Sequence, residues 1–388
     1  GTTLYSVASN GATTNLGTIS GTAPVWMADN GTQLVIGTDG GDWYVYDGSL
    51  AAIADADFTS RGARACGFID NYIAFVEPAS GRWFISDLAD AEAYDALDFA
   101  TAEGSPDTLV SLAVDHREVI LFGDKTTERW YNAGATGFPL ERSPGGFIEL
   151  GWAANKGVCK LDNSVFWLAN DFTVRRLDGN TPVRVSTHAV EESLRAMTQA
   201  QVAACEAFSY TFNGHLCAVF SFATVCWVFD VTTGEWFERQ TYGEDGWLIS
   251  GIADAYGYIV AQDSATGSVG RFSSTTYTEF GEIQRPAWTY QPVYSDAKRV
   301  FHQSLEIVCD TGDGDGATLT LELSNDGGRT WLSLATALTR SLGEAGQYRT
   351  RVKFHRLGMA RDRVYRASIS DATPLTIVDT QLEAVAGD

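Results

Sequence analysis

The sequence predicts an all-β protein: a β-propeller of six or seven blades over residues 1–280, followed by a β-sandwich domain over residues 281–388. Three observations lead there. A short strand ending in aspartate recurs as Trp43-Tyr44-Val45-Tyr46-Asp47, Arg82-Trp83-Phe84-Ile85-Ser86-Asp87, Thr173-Val174-Arg175-Arg176-Leu177-Asp178 and Cys226-Trp227-Val228-Phe229-Asp230. Its spacing is 40 residues from Asp47 to Asp87 and 52 from Asp178 to Asp230, and a further copy near Arg129-Trp130-Tyr131-Asn132 divides the longer gap. A period of roughly 40 to 50 residues carrying several short strands is the mark of propeller blades. Finally, the period stops around Glu279-Phe280-Gly281-Glu282, and a differently patterned strand-rich stretch follows.

Taken in order, residues 3–19 read as a lone outer hairpin whose inner partner strands are missing from the sequence. Either those strands lie upstream of Gly1, in keeping with a first residue that is not Met, or the hairpin completes the last blade and closes the ring. Six and seven blades both fit. The first full unit runs through Val25–Met27, Gln33–Gly37 and Trp43–Tyr46, turning at Asp39-Gly40-Gly41, because Asp-Gly and Gly-Gly favour hairpins. Corresponding units follow at Ala65–Ser86, Leu109–Tyr131, Cys159–Leu177, Ala207–Asp230 and Leu248–Phe272. One helix interrupts them near 188–204, capped by Thr187, with Val190, Leu194, Met197 and Val202 near helical spacing. It serves as a subunit contact or simply packs on a blade edge. Beyond 280, strands are expected at Trp288–Tyr290, Ser304–Val308, Thr318–Leu323, Tyr348–Phe354, Val364–Ser370 and Thr376–Glu383.

Hydrophobic residues make up 45% and aromatics 12% of the 388 residues, enough for a substantial core. No apolar run approaches a membrane span, so no membrane partner is expected. The net charge of −22 is unevenly placed. Residues 281–388 hold 12 Lys/Arg against 14 Asp/Glu, leaving 15 against 35, or −20, on residues 1–280. Such a surface repels phosphates and argues against ordinary nucleic-acid binding.

No catalytic centre stands out. Six cysteines show neither CxxC nor metal-type spacing and read as buried thiols, although Cys217 and Cys226 could face each other across a hairpin. The five histidines are scattered, and no phosphate-binding or dinucleotide glycine motif is present. Acidic pairs such as Asp55/Asp57, Asp95/Asp98 and Glu191/Glu192 are too common to specify acid–base chemistry. Asp310–Gly316 resembles a calcium loop only faintly, lacking the third aspartate and terminal glutamate, and reads as a turn. No cofactor or metal is expected.

Ser324, Asp326, Gly328, Thr330 and Trp331 fit an Asp-box, a structural turn in which the carboxylate binds backbone amides and the indole packs beneath. Sialidases repeat this box in their blades. Here it occurs once, outside the repeats, so a sialidase-like enzyme or a glycan-binding module is the alternative reading. One stretch is conspicuously basic: Arg349, Arg351, Lys353, Arg356, Arg361, Arg363 and Arg366, opposed only by Asp362. Alternation over Tyr348–Phe354 places its cations on one strand face, a candidate contact with an acidic neighbouring subunit.

The segments Trp288–Tyr294, Ser324–Trp331, Gly346–Val352 and Arg356–Arg366 resemble tail proteins of short-tailed bacteriophages, the packaged-DNA stabilisation or tail hub/nozzle family. Leu97–Gly104, Val114–Glu118, Lys160–Trp167 and Ser186–Ala189 are similar to the same family. The resemblance covers nearly the whole chain and rests on structural turns. It implies a virion component, assembled in the bacterial host cytoplasm as a cyclic homo-oligomer, expected as a hexamer. The ring would extend the portal–adaptor conduit, retain packaged DNA and pass it during ejection. Implied partners are the tail adaptor or head-completion protein, a needle or plug, tail fibres or spikes, and genomic DNA without sequence-specific binding.

Overall fold

The computed structural model describes residues 2–21, 24–296, 298–332 and 337–387. It falls into two compact units, 1–240 with 244–272, and 241–243 with 273–388, so the break comes ahead of the boundary expected at 280.

The first unit begins with a hairpin, β1 (Thr3–Val7) and β2 (Thr13–Thr18), which forms a two-stranded sheet of its own. Blade 1 is the antiparallel meander β3 (Val25–Asp29), β4 (Leu34–Thr38), β5 (Trp43–Tyr46) and β6 (Leu50–Ala52). Blade 2 is β7 (Ala65–Ile69), β8 (Tyr72–Val76), β9 (Arg82–Ile85) and β10 (Phe99–Thr101), entered through the helical turn α1 (Ala56–Arg61). Blade 3 comprises β11 (Leu109–Asp115), β12 (Glu118–Gly123), β13 (Thr127–Asn132) and β14 (Leu140–Ile148). Blade 4 comprises β15 (Val158–Leu161), β16 (Ser164–Leu168), β17 (Val174–Asp178) and β18 (Thr181–Arg184). After helices α2 (His188–Arg195) and α3 (Gln199–Ala203), blade 5 follows as β19 (Glu206–Phe212), β20 (His215–Ser221), β21 (Cys226–Asp230) and β22 (Glu235–Glu238). Blade 6 has three strands, β23 (Ile249–Ala255), β24 (Tyr258–Asp263) and β25 (Val269–Arg271).

Alternation drives this packing, since successive side chains of a strand point to opposite faces. In β8, Ile73 and Phe75 join the core shared with blade 1, while Ala74 and Val76 join the core shared with blade 3. In β20, Ala218 and Phe220 face blade 4 and Cys217 and Val219 face blade 6. The β1–β2 hairpin packs on blade 1, where Leu4 and Ile19 meet Ile36.

The single helix expected over 188–204 is two. Thr198 starts the second one: its hydroxyl accepts from the Gln201 amide, and the Gln201 side chain accepts from the Thr198 amide at 2.9 Å, a reciprocal cap that breaks the first helix. Val190, Leu194 and Val202 bury themselves against blades 4 and 5. α1 was not foreseen; Asp55 caps it, accepting from the amides of Asp57 and Phe58 at 2.8 and 3.2 Å.

The second unit opens with a small hairpin, β26 (Thr278–Glu279) and β27 (Glu282–Ile283). A sandwich follows. Its strands are β28 (Ala287–Thr289), β29 (Val293–Tyr294), β30 (Val300–Cys309), β31 (Thr318–Ser324), β32 (Leu338–Ser341), β33 (Val352–Ala360), β34 (Asp362–Ser368) and β35 (Ile377–Ala386). One sheet has the order β28-β34-β31-β32, with β29 also paired to β34; the other is β33-β30-β35. Leu319, Leu321 and Tyr365 of the first meet Leu305, Ile307 and Phe354 of the second in one core.

Candidate assembly surfaces

In a meander the turns alternate between two edges, so the turns joining each blade's first and second strands all lie on one rim. Five of these are two-residue turns with positive φ at both positions: Asp70-Asn71, His116-Arg117, Asp162-Asn163, Asn213-Gly214 and Tyr256-Gly257. This geometry matches the strand twist but strains non-glycine residues such as His116 and Arg117. Contacts between blades hold them. Arg117 donates through Nε and Nη2 to the two Asp70 oxygens at 2.9 and 3.0 Å, and Asn132 adds a bond to the same carboxylate. The Arg117 guanidinium thereby holds Asp70 below the usual carboxylate range. His116 lies 2.7 Å from Asn163 through Nε2 and 2.7 Å from Asp115 through Nδ1, and these partners raise its pKa. The family-like stretches Val114–Glu118 and Lys160–Trp167 are thus where blades 2, 3 and 4 are laced together.

The strand-ending aspartates are turn residues of the same rim. Asp230 accepts from His215 Nδ1 at 2.7 Å, the Thr232 amide at 2.9 Å and the Thr233 hydroxyl at 3.0 Å. Asp263, on the opposite rim, repeats the motif with Ala265 and Thr266, and both turns close on a glycine of positive φ, Gly234 or Gly267. Asp47, Asp87 and Asp178 are exposed and leave their charge to the surface.

On the turn side, strands β3, β7, β11 and β15 frame a mouth of about 670 Å³ lined by Trp26, Met27, Phe68, Leu112, Val114 and Lys160 among others. Among the described residues Asp29 is its one lining carboxylate, and it accepts the Gly31 amide at 3.1 Å. A paired acid and base, which glycoside hydrolysis uses, is therefore not assembled there. Nearby, Lys156 reaches from the entry to β15 to donate to the Val25 carbonyl, with its ammonium 5.3 Å from the centre of the Trp26 ring. Glu206 pairs with it through a backbone bridge. Burial pushes the lysine down and the glutamate up, each partly countered by the other's charge.

Around Asp326 the Asp-box residues make a hydrogen-bonded turn. Ser324 Oγ donates to Asp326 Oδ1 at 2.7 Å and accepts from the Gly328 amide at 2.9 Å, while the Thr330 amide and hydroxyl donate to the two Asp326 oxygens at 2.9 and 2.5 Å. These bonds hold Asp326 down to about 2. Trp331 lies beside Gly328, and the Arg366 guanidinium stacks on its ring at 4.2 Å.

The basic stretch is not one face. Strand β33 begins at Val352 instead of Tyr348, and Arg356 sits in a bulge at φ 58° where β33 slips against β30. Arg351 forks onto Glu306, with Lys353 at 3.6 Å from the same carboxylate. Arg363 is buried, donating to Asn325 and to the Leu357 carbonyl. Arg366 and Arg285 share the buried Glu322, each at 2.8 Å. That leaves Arg349, Arg356 and Arg361 exposed, without hydrogen-bond or ion-pair partners among the described residues.

The remaining candidates resolve into structure. All six cysteines are free; Cys217 stands opposite Asp230 and Cys226 opposite Ser221, so the two do not face each other. Burial raises the thiols of Cys159 and Cys226 to about 12. Among the described residues no His/Cys/Asp/Glu group could hold a metal ion, and no helix is long and apolar enough to cross a membrane. Sequence reasoning missed the blade lacing, although its partners stand one period, 47 residues, apart.

Comparison with known proteins gives three results. No curated protein matches. Among solved structures, an exo-β-1,3-galactanase variant from Phanerochaete chrysosporium with β-1,3-galactotriose aligns over 95% of this chain and 97% of its own, at 9% identity and a TM-score of 0.37. The same enzyme with galactose aligns over 97% and 100%, at 10% identity and 0.35. Likenesses this thin say nothing about activity. Family models, by contrast, match nearly end to end: the β-propeller of bacteriophage P22 Gp10 over residues 1–277 and the β-sandwich of the same protein over 288–385. The chain belongs to the bacteriophage P22 Gp10 family of phage structural proteins and carries its propeller and sandwich in the same order.

Proposed function

We propose that the chain is a non-enzymatic subunit of a tail hub or nozzle ring, which extends the portal–adaptor conduit, retains packaged DNA and lets it pass during ejection. The observation that carries this is the charge of −20 on residues 1–280, against a nearly neutral remainder. A conduit lined with carboxylates repels phosphates and keeps a moving duplex from sticking. Exposed Asp47, Asp87 and Asp178 on the turn rim supply such charge. Arg349, Arg356 and Arg361, free of internal partners, suit contact with the acidic propeller of the next copy in a cyclic homo-oligomer, a hexamer in this proposal. The tail adaptor, a needle or plug, and fibres or spikes would complete the assembly. It would form in the host cytoplasm and end in the virion.

Imaging of particles assembled from the protein and its adaptor tests the proposal. The expected result is a closed ring with an acidic bore, and charge reversal at Arg349, Arg356 and Arg361 together should abolish the ring while leaving the subunit folded. A basic bore with the acids turned outward would remove the role given to the charge.

A further inference from the structure

We infer that the outer face of the sheet β33-β30-β35 is a docking surface for a second copy of the chain, which presents to it the loop 86–98 between β9 and β10 of its propeller. This rests on the assembly of copies proposed above and names the two surfaces that meet.

The face is apolar at one end. Phe301 of β30 stands in register with Met359 of β33 and with Val385 of β35. Side chains directly opposite each other on neighbouring strands share a face. The slip between His302 and Ser304 reverses the alternation of β30, so Phe301 points away from the core that Leu305 and Ile307 fill. Phe301, Met359 and Val385 stay 48%, 40% and 51% exposed, in a row about 10 Å wide at ordinary strand spacing. Cations rim it: Arg361 follows β33, Arg356 sits in its bulge and Arg299 precedes β30, all exposed and without an ion-pair partner among the described residues. Of the carboxylates beside it, Glu383 accepts the Ser304 hydroxyl at 2.9 Å and Asp362 is half-buried.

Such a surface suits apolar side chains set among carboxylates, and the loop 86–98 offers them. Asp87, Asp90, Glu92, Asp95 and Asp98 crowd it, none in an ion pair among the described residues, and Leu88 and Leu97 are 61% and 77% exposed between them. Burial, then the charges of Asp95 and Asp87, raises the Asp98 pKa against the pull of Arg61, so the loop's charge is not balanced from within. The loop is also preformed. Tyr94 is buried in the core shared by blades 1 and 2 and donates to the Ala91 carbonyl at 2.7 Å; the Ala91 amide donates to Gln33 Oε1 at 2.8 Å and the Ala89 amide to the Asn71 carbonyl at 2.9 Å. Little ordering entropy is then lost on docking. Because face and loop are different patches, the contact is head-to-tail, the kind that closes into a ring when the rotation allows.

Complementation in the full chain tests this. One variant, Phe301→Asp, spoils the face and keeps the loop; the other, Leu88→Asp with Leu97→Asp, spoils the loop and keeps the face. Each alone should sediment as a monomer and melt within about 2 °C of wild type, as exposed substitutions do. Mixed in equal amounts they should give a dimer and nothing larger, since only one face and one loop remain intact. Arg361→Glu added to the loop variant should weaken that dimer at least tenfold, as should sodium chloride raised from about 0.05 to 0.5 M. A mixture that stays monomeric at about 0.3 mM overturns the inference, as does either variant assembling alone as wild type does. A loop variant that melts far below wild type at every concentration also overturns it, because the loop would then serve its own chain. Closed rings that survive these substitutions would leave the assembly standing and remove only this contact; a dimer in the mixture without closed rings of wild type would do the reverse.

Discussion

Replacing Glu191 with alanine is expected to cost the propeller about 2–4 kcal/mol. Its side chain is fully buried at the foot of α2. It accepts from Arg184 Nε at 2.6 Å and from Arg184 Nη2, from the Ser186 hydroxyl at 2.7 Å and from Arg195 Nη2 at 3.2 Å; His188 Nδ1 stands 4.0 Å away. Breaking a buried ion pair costs about 3–5 kcal/mol when the surviving charge is trapped. Here Arg184 and Arg195 keep 40% and 55% exposure, so both can turn to water, and the figure falls. Ser186, itself buried and bonded to the Val174 amide, then lacks an acceptor, which adds about 1 kcal/mol. Burial alone would raise the Glu191 pKa, but the bonds from Ser186 and Arg184 and the charges of Arg184 and Arg195 outweigh it, and the net shift is downward. A carboxylate depressed in the folded state contributes fully above its unfolded value and loses that contribution as pH falls through the folded one. Urea unfolding at about pH 7 should therefore show the full deficit of the alanine variant, and the gap should narrow below the ordinary value of 4.5. Glu191→Gln, which keeps the volume, should fall between wild type and Ala. A gap that stays constant down to about pH 3.5, or an alanine variant within about 0.5 kcal/mol of wild type, would refute the account.

Lys156→Met removes the bond to the Val25 carbonyl and the contact with Trp26, and should lower stability by about 1–3 kcal/mol in urea unfolding, the relief of lysine burial offsetting part of the loss. Asp326→Ala should loosen the turn from Ser324 to Trp331, seen as faster amide exchange at Gly328 and Thr330. With Asp326 held to about 2, the wild-type turn should keep those amides protected at about pH 3 and lose protection only as pH approaches the folded value.

The repeat was legible because two signals agree along residues 1–280: alternation in the strands, and turn residues such as Asp39-Gly40-Gly41 between them. The break between α2 and α3 was also written in the sequence, as Thr198 followed three residues later by Gln201, but the apolar spacing of Val190, Leu194 and Val202 masked it. The basic stretch misled for a different reason. Alternation assigns faces only while the strand is regular, and the bulge at Arg356 ends that regularity. Nor does any local pattern reveal that Arg363 turns inward to Asn325, because its partner lies 38 residues away. The inter-blade pairs were beyond reach for the same cause, since Asp70 and Arg117 meet only once two blades stand side by side.

Those pairs bear on how so acidic a unit stays folded. Scattered carboxylates repel one another across the surface of a unit carrying about −20, and that repulsion acts over distances comparable with the screening length. The lacing contacts act at 2.7 to 3.0 Å, far inside that length. Screening shortens from about 30 Å at 0.01 M salt to about 3 Å near 1 M, so added salt removes the repulsion long before it weakens a bidentate Arg117–Asp70 contact. The melting temperature should therefore rise between about 0.01 and 0.5 M sodium chloride, a salt chosen because it does not strengthen apolar burial as sulfate does. Arg117→Ser should lower the melting temperature at both ends and leave the rise intact. If the wild-type melting temperature instead falls with salt, contact pairs outweigh the diffuse repulsion, and the acidic charge places no demand on the scaffold for the lacing to meet.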